Sequence, residues 1–234
     1  MISTNPLDII GQFFLNLKKR FKIFYQNSNL YEKKISKTFQ DSFEYKPSPH
    51  LLSSIIKYNS KKYKIDDFAV EAIWKNNLNS KDYKKLNNFF WFFSLDLKSS
   101  KKTTQTVIKN WISNNSKYQN KSWEFNLTAK RIISWLSNHQ LTYEDSDQDY
   151  RSAFNHMVQK QTNHLLNEIK NSKELNNKMI GCAAIILTGL AYKNEKEYLN
   201  SGLNLLKEII KSSIDNNGFP KSRNIRQLIF YLKY

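Results

Sequence analysis

Residues 178–192 of the chain read KMIGCAAIILTGLAY. On a helix of about 3.6 residues per turn, these apolar side chains fall on nearly every side, so the helix must be buried from all directions. Each helix of a lone four-helix bundle leaves one side in water. A helix that is apolar all round, among several successive helices, instead indicates a layered helical array or an α/α toroid. We therefore predict an all-α fold made of antiparallel helical hairpins, and at this point the layered array and the α/α toroid both stay open.

Amphipathic patterns flank this central stretch on both sides. Apolar residues recur at helical spacing in four further segments: 106–112, 125–136, 150–169 and 198–210. The links between them are short and polar, which favours antiparallel neighbours. The run Phe89–Phe93, within the apolar segment 86–97, is expected to be buried. Cys182 lies inside the central stretch, where a small buried hydrophobic residue is expected rather than a nucleophile.

Composition supports a globular helical chain. Apolar residues make up 40% of the 234 residues, and the five glycines and four prolines are few for an all-β chain with many tight turns. We divide the chain into an aromatic and basic N-terminal region, partly helical, at 1–84, and a helical toroid portion at 85–234. Lys46–Pro49 is predicted to be an extended connector. The segments 51–58 and 68–74 fit a strand or a short helix equally well.

The charge balance is strongly basic. Lysine and arginine number 37 against 20 aspartates and glutamates, giving a formal net charge of +17. Such a surface attracts polyanions. Most of the cations are lysines that accompany abundant Asn, Ile, Phe and Tyr, which is also the composition that AT-rich coding produces. Both explanations stay open.

Aromatic and basic residues alternate in residues 1–46. Rings that stack bases and lysines that contact phosphates form single-stranded nucleic-acid platforms. The helical spacing of Phe13, Leu17, Phe21 and Phe24 favours another interpretation, a helix that packs its aromatic side inward. Contact of residues 7–25 with a membrane surface is a further alternative.

The N-terminus does not resemble a secretory signal, because its apolar residues precede its basic ones. No apolar stretch approaches the roughly 20 residues that span a bilayer, so no transmembrane segment is predicted. The sequence by itself fits the cytoplasm. The periplasm stays open as the alternative.

No metal or cofactor site is predicted. The four histidines are in neither a His-Glu-x-x-His nor a Cys-x-x-Cys context, and no glycine-rich phosphate loop is present: His50, His139, His156 and His164. The carboxylates at Glu144–Asp149 could form a glycosidase pair. A solvated turn that caps the next helix is the interpretation we favour.

The segment Asn216–Asn224 reads NNGFPKSRN. Gly218 permits a positive φ and Pro220 restricts the residue before it, so a helix ending near Ser213 must stop here. We expect Ser222 to cap the next helix, with Arg223 and Asn224 in its first turn. Backbone donors and the helix dipole favour an anion there. An ordinary turn between two helices is the alternative.

Four segments occur in the order seen in bacterial heparinase II/III-like proteins, which the chain resembles over residues 85–234. They are Phe89–Asp96 (FFWFFSLD), Val107–Ile112 with Trp111, Trp123 leading to Ala129–Leu136 (AKRIISWL), and Asp215–Asn224 (DNNGFPKSRN). The most specific parts are Arg131–Leu136 and the stretch from the glycine to Ser-Arg-Asn.

The resemblance implies a polysaccharide lyase with an α/α toroid and a C-terminal β-sandwich domain, cleaving uronic-acid glycans by β-elimination. That chemistry needs a group that neutralises the uronate carboxylate and a base, often a tyrosine, that removes the C5 proton. By the resemblance, Asn224 is the catalytic residue that neutralises the carboxylate, Arg223 and Lys221 bind substrate, and the partner is an acidic polysaccharide.

The chain ends at Tyr234 within an apolar helical pattern. The resemblance implies that the base and the β-sandwich domain lie downstream, so we expect a truncated toroid, inactive alone, whose missing partner is that domain of the same polypeptide. The alternative is a non-catalytic basic helical module that binds polyanions, glycan or nucleic acid. Of these two, we do not expect nucleic acid.

Overall fold

A computed structural model describes residues 6–38, 43, 80–95, 98, 100–172, 174–192 and 196–234. These residues form ten α-helices and, among themselves, no β-strand: α1 (Pro6–Gln26), α2 (Asn29–Ile35), α3 (Ser80–Asn87), α4 (Lys101–Asn115), α5 (Phe125–Ser137), α6 (His139–Thr142), α7 (Gln148–Glu168), α8 (Leu175–Ala191), α9 (Lys196–Ser213) and α10 (Ile225–Lys233). For these described residues the prediction of an all-α fold is confirmed. The connector at Lys46–Pro49 and the segments 51–58 and 68–74 lie outside the described residues.

Helix α8 lies at the centre of the array. It packs most extensively against α9 and α5, and it also contacts α7 and α10. Cys182, Ala184 and Ile185 are fully buried within it. Burial raises the pKa of the Cys182 thiol to about 12, so this thiol stays protonated and inert at neutral pH. The sequence prediction of a helix buried on most sides is confirmed here.

Consecutive helices run antiparallel. Gly189 near the end of α8 faces Leu199 near the start of α9. About one turn earlier on α8, Ile186 faces Gly202, which is about one turn later on α9. Thr162 of α7 lies 3.0 Å from Thr188 of α8 between their hydroxyl oxygens. Ile169, just after α7, reaches Gly181. Helices α7, α8 and α9 therefore form successive antiparallel hairpins.

Helices α5 and α8 run parallel. The ring of Phe125, at the start of α5, lies against Gly181 in the first half of α8. Asn126 donates to the side chain of Asn177 at 2.6 Å, again joining the two N-terminal ends. Helices of one direction thus pack against each other as well as against their antiparallel neighbours.

A buried arginine joins the N-terminal half of this array. The guanidinium of Arg131 on α5 donates to the Asn87 carbonyl at 2.9 Å, the Gln161 side chain at 2.9 Å and the Ser122 carbonyl at 2.6 Å. Its Cζ lies 3.8 Å from the ring centroid of Trp111. Burial lowers the pKa of Arg131 to about 9, which still leaves it charged at neutral pH. Hydrogen bonds and a ring face therefore solvate this cation inside the protein.

The prediction that α1 packs its aromatic side inward is wrong. The helix forms, but Phe13 is 63% exposed and Phe24 is 78% exposed. Among the described elements, α1 contacts mainly α2, and Lys22 reaches Glu168 on α7 in an ion pair. The spacing specified the helix correctly. No described surface lies against its apolar face, so helical spacing alone did not imply burial.

Candidate anion-binding cleft

A short hairpin follows α9 and ends it at Ser213, as the glycine and proline predict. Lys221 donates its backbone N–H to the Ser213 carbonyl at 2.8 Å, and Asp215 donates to Phe219 at 2.8 Å. Gly218 has a φ of 80°, in the region that glycine adopts without strain. The Asp215 carboxylate accepts from the backbone of Asn217 and Phe219. Hydrogen bonds from Phe219 and Asn217, together with the Arg223 guanidinium, lower the pKa of Asp215.

The next helix begins two residues later than the sequence predicts. Asn224, not Ser222, is the N-cap: its Oδ1 accepts from the Arg226 N–H at 3.0 Å, and the helix starts at Ile225. Arg223 has a φ of 55° and closes a turn by donating to the Pro220 carbonyl at 2.8 Å. Ser222 accepts instead from the Asn224 N–H at 3.3 Å. The positive φ of Arg223 adds a turn before the helix, so Arg223 and Asn224 are not in its first turn.

Of the three residues assigned to substrate, only Asn224 lines a cleft. Arg223 places Nη1 2.7 Å from Oδ2 of Asp215. Lys221 donates from Nζ to the Lys211 carbonyl at 2.9 Å, near the C-terminal end of α9. Both cations thus stabilise the hairpin, and neither is among the residues that line the cleft.

The cleft lies between the starts of two helices. It has a volume of about 530 Å³ and is lined by three residues at the start of α8 and four at the start of α10: Glu174, Leu175, Asn176, Asn224, Arg226, Gln227 and Phe230. A helix N-terminus carries unpaired backbone N–H groups and partial positive charge, and two of them meet here. Arg226 adds a full positive charge, while the carboxylate of Glu174 adds a negative one. Arg226 and Asn224 both line the cleft, and the positive groups there suit a small anion.

Capping fixes the orientation of the Asn224 side chain. Because Oδ1 accepts the Arg226 N–H, the amide Nδ2 is the atom that remains to donate to a ligand. Gln227 is held on both sides, since Ser222 donates to its Oε1 and its Nε2 donates to the Tyr231 hydroxyl. The donor at the cleft therefore has a defined direction.

Sequence reasoning missed Arg226 and Glu174. Arg226 follows the Ser-Arg-Asn segment by two residues, which is the one sequence signal that could have indicated it. Glu174 is about fifty residues away in the chain and approaches only because α8 and α10 pack together. No local pattern contains that information.

His164 and Asp147 have structural contacts, whereas His50 lies outside the described residues. His164 is buried, with Nδ1 2.7 Å from the Tyr31 hydroxyl and Nε2 3.0 Å from the Trp123 carbonyl. Asp147 caps α7 by accepting from the Tyr150 N–H at 2.7 Å, which confirms the predicted capping turn. Within the described ranges, no three His, Cys, Asp or Glu side chains gather as metal ligands, and no helix has the length and apolar character needed to cross a membrane.

A scan against protein-family models and searches of curated proteins and of solved structures found no match for this chain. The resemblance to heparinase II/III-like proteins therefore rests on the sequence motifs. Two of those motifs have distinct positions in the fold. Arg131 lies in the core, and Asn224 lines the cleft.

Proposed function

We propose that this chain is the helical part of a polysaccharide lyase that acts on uronic-acid glycans, and that the cleft between α8 and α10 receives the uronate carboxylate. The observation that carries the proposal is the position of Asn224. Its amide donor is oriented by the helix cap at a cleft that also contains Arg226. The resemblance had already assigned the carboxylate-neutralising role to this asparagine.

The proposed chemistry divides between binding and proton removal. Two donors on a uronate carboxylate withdraw charge from it and stabilise the enolate-like anion that forms when the C5 proton leaves. Asn224 and Arg226 supply those donors in our proposal, and the helix N-termini add to the positive potential. By the resemblance, the tyrosine base belongs to a β-sandwich domain. We expect the chain to bind the glycan but not cleave it without that domain.

The helix directions support the toroid part of the proposal. An α/α toroid alternates antiparallel helices so that helices of the same direction are neighbours within a layer. Helices α5 and α8 have this relation, with α7 antiparallel to both. We propose that the described array is an incomplete toroid of this kind.

A direct test compares the binding of uronic-acid oligosaccharides by the wild-type chain and by Asn224→Asp. Aspartate keeps the cap acceptor but replaces the amide donor with a negative charge, so folding is retained while carboxylate binding is lost. We expect at least about a tenfold loss of affinity, equivalent to about 1.4 kcal/mol. Arg226→Gln should produce a loss of similar size.

Lys221→Gln is the matched control, because it removes a nearby cation that does not line the cleft. Calorimetry with alginate and heparin oligosaccharides, and with the same glycans after reduction of their carboxylates, provides the measurement. Equal affinity of wild type and Asn224→Asp for a uronan would contradict the assignment. So would undiminished binding of the carboxylate-reduced glycans.

The net charge of +17 favours a second candidate, a non-catalytic module that binds polyanions. Such binding weakens steeply with salt and is indifferent to uronate chemistry. The two candidates rank the same variants in opposite order. If the chain is a polyanion-binding module, charge reversal at Lys18, Lys19 and Arg20 should abolish binding, and Asn224→Asp should have almost no effect. The lyase proposal expects the larger loss of binding from Asn224→Asp.

A further inference from the structure

Helix α1 presents an exposed apolar face over most of its length. It has 21 residues and is about 31 Å long at about 1.5 Å per residue. Six of its side chains form one face at helical spacing, and all are exposed: Ile10, Phe13, Phe14, Leu17, Phe21 and Phe24. Exposed side chains of this size rarely gather on one face of a soluble protein without a partner.

The charges of α1 complement an anionic surface. From Ile10 to Gln26 the helix has four cations and no acidic residue. At about 100° per residue, Lys18 and Arg20 lie at opposite edges of the apolar face, and Lys19 lies on the polar side. Lys22 is paired with Glu168, which anchors the polar side to α7. The apolar face therefore points away from this anchor with cations along both margins.

The shape and chemistry of this face favour a lipid surface over a second copy of the chain. A coiled-coil seam is a narrow stripe of aliphatic residues, whereas this face is about 100° wide and mainly phenylalanine. A second copy would also bring the cationic margins of two identical helices together. Anionic headgroups instead attract each exposed Lys or Arg by about 1 kcal/mol, while Phe and Leu enter the acyl boundary.

We propose that α1 binds in the plane of an anionic lipid bilayer, with Phe13, Leu17, Phe21 and Phe24 inserted and Lys18 and Arg20 at the headgroups. This holds the helical array at a membrane surface by one helix that lies on the bilayer. The inference is independent of the proposed lyase function, since it uses no residue of the α8–α10 cleft.

The test is co-sedimentation of the full chain with lipid vesicles. We expect binding to equimolar phosphatidylcholine and phosphatidylglycerol and little binding to phosphatidylcholine alone. The variant Phe13→Ser/Phe21→Ser/Phe24→Ser should lower partitioning at least about tenfold, and Lys18→Glu/Lys19→Glu/Arg20→Glu by a similar factor. The control Leu203→Ser/Ile210→Ser removes exposed apolar residues from α9 and should bind as the wild type does.

Three results would overturn the proposal. The wild type could fail to bind anionic vesicles, or the phenylalanine variant could bind them undiminished. Light scattering could show that the wild type is a dimer and the phenylalanine variant a monomer, which would assign the face to a second copy. Binding to soluble heparin is measured for the same variants. Binding to vesicles and heparin that needs the cations but not the phenylalanines would be polyanion recognition and not membrane insertion.

Discussion

Buried polar residues connect parts of this chain that are far apart in sequence. Lys160 on α7 forms an ion pair with Glu32 on α2 and donates to the Ser116 carbonyl at 2.5 Å. Arg131 and His164 make comparable connections to carbonyl groups of the loops. A buried cation or imidazole without partners costs several kcal/mol, so each of these residues is compatible with one arrangement of its neighbours. They specify which helices meet, while apolar contacts supply most of the stability.

His164 should make the stability of the protein depend on pH. Burial lowers its pKa to about 4, against about 6.5 for an exposed histidine. Between these values the unfolded chain binds a proton that the folded chain does not, so stability falls as pH drops from 6.5 and levels off below 4. The shift corresponds to up to about 3 kcal/mol. Urea unfolding of wild type and His164→Gln at pH 7 and pH 4.5 measures it.

The His164→Gln variant should be less stable than the wild type at pH 7, and it should lose less stability when the pH is lowered to 4.5. Carboxylates titrate in the same range, but they are common to both proteins and cancel in the comparison. His156→Gln is the control, since the His156 side chain is exposed, and it should retain most of the wild-type pH dependence. Parallel curves for wild type and His164→Gln would show that His164 does not titrate on unfolding.

At the scale of elements, glycine determines how closely α8 and α9 pack. A Cβ at Gly189 would lie 2.7 Å from the Leu199 Cα and would clash with its backbone nitrogen. The obstacle is backbone, so relief requires moving a helix. We expect Gly189→Ala to destabilise the protein by about 2 kcal/mol, in the range for overpacked cores. The change in unfolding free energy in urea provides the check.

Gly11→Ala is the matched control, because it makes the same substitution within α1. Nothing lies within 4 Å of a Cβ at Gly11. Alanine should therefore stabilise that helix by about 0.5–1 kcal/mol through its higher helix propensity. Opposite signs for the two substitutions are the expected outcome. A neutral Gly189→Ala would mean that α8 and α9 pack less closely than described.

Periodicity predicted the helices well because the spacing of apolar residues depends on the local backbone conformation. The pattern 125–136 predicted a helix ending before Asn138, and α5 ends at Ser137. Local pattern could not foresee that Phe89 has a φ of 58°, which separates α3 from the 3₁₀ helix Phe90–Ser94. Its ring packs on Trp111 and Trp135, and its carbonyl accepts from Ser134 at 2.6 Å. Tertiary contacts therefore stabilise this conformation, and contacts between distant residues cannot be predicted from a local sequence pattern.

The candidate site was only partly predictable for the same reason. The glycine and proline located the turn, and the resemblance pointed to Asn224. The identity of the cap depended on the left-handed backbone of Arg223, which an arginine rarely adopts. The approach of Glu174 to Arg226 depended on packing between helices about fifty residues apart. Sequence therefore indicated one residue of the candidate cleft, Asn224, but not the residues of α8 that line its other side.

At the scale of the whole molecule, the excess of positive charge contributes little to the stability of the fold. The ion pairs on partly exposed side chains, such as Lys84–Glu124 and Lys101–Asp145, are worth no more than about 1 kcal/mol each. Seventeen unbalanced positive charges remain on a chain of 234 residues. Their mutual repulsion is relieved when the chain expands, so it opposes the compact state.

Salt should therefore stabilise this protein at neutral pH. The Debye length falls from about 30 Å at 0.01 M to about 10 Å at 0.1 M, so repulsion between distant lysines is screened within this range. We expect the thermal midpoint to rise with NaCl up to about 0.2 M and then to level off. Reversal of Lys18, Lys19 and Arg20 lowers the net charge by two units at each position and should reduce the rise. A midpoint that falls with NaCl would mean that attractive ion pairs outweigh the excess of like charge, and the basic surface would then contribute to folding as well as to binding.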